Sequence, residues 1–156
     1  MKWLGDDEPV LMQSREEALE RIATYRARIA EHPGLGFWAI EIKNPDSGLN
    51  GRVAGTVLLA VLPDGDGEVE IGWHLHPDSH GSGYATEAAR GMLARGFADG
   101  LAEIYAVTHT TNGPSQAVCK RIGMTDLGVV SDRWYAGESQ LFRLTREEYD
   151  AQQPVG

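Results

Sequence analysis

Between residues 68 and 98 the hydrophobic period switches from two to helical across one glycine-bearing turn. In "EVEIGWHLH", residues 68–76, Val69, Ile71, Trp73 and Leu75 point one way. Glu68, Glu70, His74 and His76 point the other way, as in a half-buried strand. Pro77 ends the strand. From Gly83 the spacing is helical: Ala85, Ala88, Ala89, Met92, Leu93 and Phe97 make one stripe, and Gly100 follows the last turn. Between strand and helix lies "PDSHGSG". A strand, a glycine turn and a helix start in that order form an anion site, because the first helical N–H groups lack intrahelical partners and the helix dipole adds positive charge. The plainer alternative is a tight turn whose glycines supply positive φ.

The rest of the chain supplies a sheet around this unit. Ser14 and Glu17 form a capping box that opens a helix. Its apolar face carries Leu19, Ile22 and Ile29, flanked by Ala18, Ala23 and Ala30, and Pro33 and Gly34 end it. "GFWAIEI" alternates as a strand, with Trp38, Ile40 and Ile42 opposite Phe37, Ala39 and Glu41. Residues 52–62 are apolar throughout and predict a central strand, closed into a hairpin by "PDGDG" at 63–67. Gly72, in mid-strand, marks a bulge or a close ligand. "EIYAVT" at 103–108 is a further strand. Asn112, Gly113 and Pro114 begin a short helix that Gly123 ends. "MTDLGVV" and "SQLFRL" are strands around the loop "SDRWYAGE", and Thr145 with Glu148 caps a final helix. Helices and strands interleave over 156 residues, enough for one core and too few for two. The expectation is a single α/β (α+β) domain over 1–156 with a mixed sheet.

A net charge of −9 with no basic stripe argues against nucleic acid as a partner. The negative field suits a cationic molecule, or serves solubility alone. One cysteine, Cys119, allows no intramolecular disulfide and fits the cytoplasm. The longest apolar run, residues 53–63, is too short to span a membrane.

Two familiar phosphate loops fail at the glycine turn. A P-loop needs a lysine, and residues 77–93 contain none. A dinucleotide fingerprint needs a third glycine, where Thr86 stands, and an acid ending the next strand, whereas Glu103 begins it. A third pattern fits. Asp78-Ser79-His80-Gly81-Ser82-Gly83 resembles the acyl-CoA pyrophosphate loop of the GNAT superfamily of N-acetyltransferases, with aspartate at the first position in place of Gln or Arg. The continuation "GSGYATEAA", then Asn112 and Ser115, then "KRIGM" at 120–124, is similar to the ribosomal-protein N-terminal branch, over residues 36–145.

The resemblance implies a mostly antiparallel, twisted sheet whose central strands splay, flanked by helices. The pantetheine arm of acetyl-CoA would lie in the splay against the main chain of His74, Leu75 and His76. The pyrophosphate would meet amides from His80 to Ala85, thus His80, Gly81, Ser82, Gly83, Tyr84 and Ala85. Asn112 and Ser115 would touch the far side of the cofactor. The family also begins with a strand and a helix that precede anything found here, and "MKWLGDDEP" matches the end of that helix. A short start leaves either a bare sheet edge or a homodimer in which a neighbour lends the strand.

For acetyl transfer to an amine, Glu70 is the first candidate base, directly or through water, and His74 the second. Each is alternatively a polar side chain on a strand's wet face. A backbone N–H near Leu75 would polarise the carbonyl. His74 and His76 form His-x-His on one strand face with no cysteine near them, and no metal is expected. Trp134 and Tyr135 line an acceptor pocket or act as a packing lid. Cys119 stands where many family members carry a tyrosine acid; it is a buried apolar residue, a substitute acid or a nucleophile, and the first is expected. The leading function is an N-acetyltransferase using acetyl-CoA on a primary amine by direct attack in a ternary complex. Its rivals are a non-catalytic acyl-CoA-binding module and an unrelated nucleotide-binding enzyme.

Overall fold

The structure is a computed structural model that describes residues 14–30, 32, 34–46 and 48–153, the side chains of residues 28 and 29 excepted. The readings of Ile29, Pro33 and residues 1–9 therefore lie outside what is described. The elements run α1 (Arg15–Ala30), β1 (Gly36–Glu41), β2 (Val53–Val61), β3 (Val69–Leu75), a single 3-10 turn (Pro77–Ser79), α2 (Tyr84–Ala98), β4 (Glu103–His109), α3 (Gly113–Arg121), β5 (Thr125–Ser131), β6 (Glu138–Thr145) and α4 (Arg146–Ala151). The six strands form one sheet in the order β1-β2-β3-β4-β6-β5. All neighbours are antiparallel except β3 and β4, which are parallel and pair at one position, Glu70 opposite Tyr105. The mixed, mostly antiparallel sheet with a central splay is thus present.

The alternation of β3 divides the sheet into two faces. Val69 and Ile71 lie under α2, whose Ala85, Ala89, Leu93 and Phe97 join Leu59, Ile104, Phe142 and Leu144 in the main core. Small residues at 85 and 89 let the helix approach the sheet near its N-terminus, and Leu93 and Phe97 fill the wider space behind. A smaller cluster of Leu62, Tyr105 and Leu141 occupies the other face, with Val107, Val130 and Trp134 against it. The far end of α2 is fastened by α4: Arg146 donates to the carbonyls of Phe97 and Leu101 and lies 5.4 Å over the Phe97 ring, while Tyr149 stacks on the same ring at 4.6 Å.

Two expectations are corrected. Gly72 makes no bulge: the β2–β3 ladder runs unbroken from Val61↔Val69 to Gly55↔Leu75. Gly72 instead lies beneath the Leu58 side chain, where a Cβ would stand 3.2 Å from its Cγ. The irregular register falls at Ile40/Glu41 and Asp126/Gly128. On α1, Leu19 is 51% and Ile22 45% exposed, so these two positions of its apolar stripe are largely uncovered among the described residues. Helical periodicity gives the direction of a face and says nothing about what packs on it; α1 is held to the sheet through Tyr25, stacked on Phe37 at 4.0 Å. The caps are as expected: Ser14 Oγ accepts from the Glu17 N–H at 3.1 Å, and Thr145 with Glu148 forms a complete capping box.

Gly55 is the tightest point between β2 and β3. A Cβ there would collide with the His74 carbonyl oxygen and stand 2.7 Å from the Leu75 Cα. Backbone cannot step aside as a side chain does. Gly55→Ala is therefore expected to cost about 1–3 kcal/mol or more through overpacking, read as a lower urea midpoint.

Candidate active site

The splay is where the site forms, and ladder phase decides which groups face it. In an antiparallel pair every second residue directs both its N–H and its C=O to the neighbour. His76 N–H donates to Ala54 at 2.7 Å, and the Glu68 carbonyl accepts from Leu62 at 2.8 Å. Positions 68, 70, 72, 74 and 76 therefore spend their main chain on β2. Ile71, Trp73 and Leu75 turn theirs toward β4, and β4 has diverged after Glu70. The main chain of His74 and His76 is thus taken up by β2, while that of Trp73 and Leu75 faces the splay. Residue alternation alone could not reveal this, because it sets side-chain direction and not which ladder edge bonds.

At the open end of the splay, Gly81 and Gly83 both hold left-handed conformations, φ 76° and 82°, and a Cβ on either would meet nothing within 4 Å. Positive φ explains why they are glycine, and the space above them is open. Gly83 is the N-cap of α2 and no side chain caps it. The first intrahelical bond runs from Glu87 to the Gly83 carbonyl at 3.0 Å, so the amides of Tyr84, Ala85 and Thr86 have no partner within the helix. These amides and the dipole behind them present partial positive charge at this end, with Glu87 the one acidic residue of the first turn. The His80 amide is engaged differently, donating to the Pro77 carbonyl at 3.2 Å. His76 caps the 3-10 turn, its Nδ1 accepting from the Asp78 N–H at 3.2 Å. Asn112 caps α3 by accepting from the Ser115 N–H at 3.1 Å, which gives the Asn-x-x-Ser spacing a local structural reason.

On the face away from α2, the closed end of the splay carries Glu70. Its Oε1 accepts from the Tyr135 hydroxyl at 2.5 Å. His74 shares this face but stands four residues further, about 13 Å along the strand. The two cannot serve one proton together. Burial holds the His74 imidazole below its usual 6.5, so it is neutral at pH 7. Trp134 packs edge-on against Tyr105 with centroids 5.1 Å apart, and Arg133 lies 4.2 Å over the indole. Tyr105, which sequence reasoning did not single out, is the residue opposite Glu70 and donates to Glu103 at 2.8 Å. Among the described residues no three His, Cys, Asp or Glu side chains gather as metal ligands.

With this geometry in place, comparison with known proteins is decisive. Residues 1–125 match the model of the acetyltransferase (GNAT) domain. The chain belongs to the GNAT acetyltransferase family. It is 30% identical over 125 residues to the uncharacterized N-acetyltransferase YoaA of Bacillus subtilis, covering 80% of this chain and 67% of that protein. It spans 67%, 36% and 53% of the lengths of three curated relatives. In fold it is similar to the ribosomal-protein-S5-alanine acetyltransferase of Vibrio fischeri, with a TM-score of 0.71, 17% identity and coverage of 98% and 81% of the two chains. It is similar also to the microcin C7 self-immunity acetyltransferase MccE, solved with acetyl-CoA and AMP, with a TM-score of 0.73, 15% identity and coverage of 90% and 77%.

Cys119 is fully buried in the main core, and burial pushes its thiol from 9.0 to about 12. It holds no thiolate near neutrality, which disfavours a nucleophilic role. The sign for stability follows. The unfolded chain ionises near 9 and the folded one near 12, so stability is intact below 9 and falls as pH rises between the two values. Cys119→Ala should remove part of this alkaline loss, read as urea midpoints at pH 7 and 10.5. In an amine-acetylation assay it should keep more than about a tenth of the turnover, short of a general-acid loss.

Proposed function

We propose that the protein transfers an acetyl group from acetyl-CoA to a primary amine, on a protein N-terminus or a small molecule, by direct attack in a ternary complex. The observation that carries this reading is the pairing of an uncapped α2 N-terminus with main-chain groups of Trp73 and Leu75 turned toward the splay of β3 from β4. The pyrophosphate fits the amides of Tyr84, Ala85 and Thr86, with Gly81, Ser82 and Gly83 leaving room for it. The pantetheine amides fit Trp73 and Leu75 as an added strand would. The amide nitrogen of Asn112, which takes no part in its capping bond, and Ser115 fit the far side of the cofactor.

This path leads from the open end of the splay toward the closed end, which selects Glu70 over His74. Glu70 takes the amine's proton, directly or through one water. The new N–C bond forms as the C–S bond breaks, and a main-chain N–H of Trp73 or Leu75 receives the charge that develops on the carbonyl oxygen. The thiolate leaves unaided: a CoA thiol ionises near that of free cysteine, about 8.5, so no protein acid is required. The net charge of −9 favours a cationic acceptor. The single, buried cysteine suits the cytoplasm.

Two variants test the reading. Gly83→Val puts a β-branched residue at φ 82° and a side chain where the pyrophosphate would lie. It should abolish acetyl-CoA binding by calorimetry while circular dichroism stays unchanged; wild-type affinity in a folded variant would make Gly83 a turn residue only. Glu70→Gln should lower turnover of an amine panel, read as release of free CoA thiol, by about 100-fold. The loss should shrink at high pH, where the amine sheds its own proton. Acetyl-CoA bound but turned over with no amine would instead mark a binding module.

A further inference from the structure

The loop between β5 and β6 is built more firmly than a lid requires. Asp132 accepts from the Gly137 N–H through Oδ1 at 2.8 Å and donates its own N–H to the Gly137 carbonyl at 2.9 Å, tying the two ends together. Inside that tie, Trp134 holds φ 65°, a conformation that costs a bulky residue roughly 1–2 kcal/mol. The ring contacts with Tyr105 and Arg133 sustain it. The strained residue immediately precedes Tyr135 and turns its phenol back toward β3. The hydroxyl reaches the Glu70 carboxylate at 2.5 Å, at the short end for a charge-assisted O–H···O bond, across 65 residues of chain.

The Asp132–Gly137 tie and the Trp134 ring contacts hold the loop in addition to this bond. We propose that Tyr135 is a positioning residue for amine acetylation, fixing the Glu70 carboxylate through Oε1 so that it meets the acceptor's proton in one orientation. A half-buried glutamate on a strand has several staggered rotamers, and only some face the splay. The phenol restricts that choice before the acceptor arrives. It neither gains nor loses a proton in the reaction. The proposal rests on Glu70 as the base.

Turnover is measured for Tyr135→Phe, Glu70→Gln and the double variant, with the KM for acetyl-CoA determined for each. Tyr135→Phe removes only the hydroxyl of a 40% exposed side chain and keeps the ring. It should lower kcat about tenfold, the scale of one hydrogen bond to a charged group, with the KM for acetyl-CoA unchanged. On the Glu70→Gln background the same change should cost less than twofold, because the base it positions is gone. Equal losses on both backgrounds would show that Tyr135 acts on the loop or the acceptor and not through Glu70, and overturn the proposal. Wild-type kcat in Tyr135→Phe beside a crippled Glu70→Gln would overturn it while leaving the base in place. Full turnover in Glu70→Gln would overturn the base and its positioning together.

Discussion

The molecule depends on where two parallel strands stop pairing. β3 keeps β2 along its whole length but meets β4 only at Glu70 opposite Tyr105. Backbone polar groups left without partners in a sheet interior are costly, so a chain carries them only where something else satisfies them. The cost falls on alternate residues of β3, and the β2 register decides which. The same register places Glu70 at the vertex, on the face opposite α2. A one-residue slip against β2 would turn the carboxylate into the core and the wrong amides toward the gap.

Helix α2 continues from the splay as a second consequence. The glycine turn must reverse direction between the end of β3 and the first residue of the helix, and left-handed φ at Gly81 and Gly83 makes that possible in few residues. An N-cap serine or aspartate at Gly83 would satisfy a helical amide from within. Glycine leaves those amides for an outside acceptor. α2 is thus less well capped than it could be, which is a common cost of a binding terminus.

Much of this was legible in the sequence. The period change at residues 76–84, the alternation in β3 and the Thr145–Glu148 capping box all depend on local geometry, and local geometry is written in neighbouring residues. Gly81 and Gly83 lie in the turn before α2, and Asn112 opens α3, as the turn and helix-start signals in the sequence indicate. What was not legible depends on distant segments. The ladder phase that turns the main chain of Trp73 toward the splay is set by Ala54 and Leu62 on another strand. The Tyr135–Glu70 bond joins residues 65 apart. Gly72 looked like a bulge because its neighbour Leu58 could not be seen. Leu19 and Ile22 mark an apolar face, and pattern alone does not say whether anything covers it.

The clamp that Arg146 places on α2 has an electrostatic meaning. Its guanidinium sits at the C-terminal end, against the Phe97 carbonyl, where a helix carries partial negative charge. That pole is met by Arg146 and by Arg95 in the last turn. At the other pole Glu87 lies in the first turn, but no side chain caps the leading amides. An anion arriving at the α2 N-terminus supplies that cap, so ligand binding and helix stability are one quantity measured from two ends. A protein arranged this way resists heat better with its cofactor than without it, before any acceptor is present.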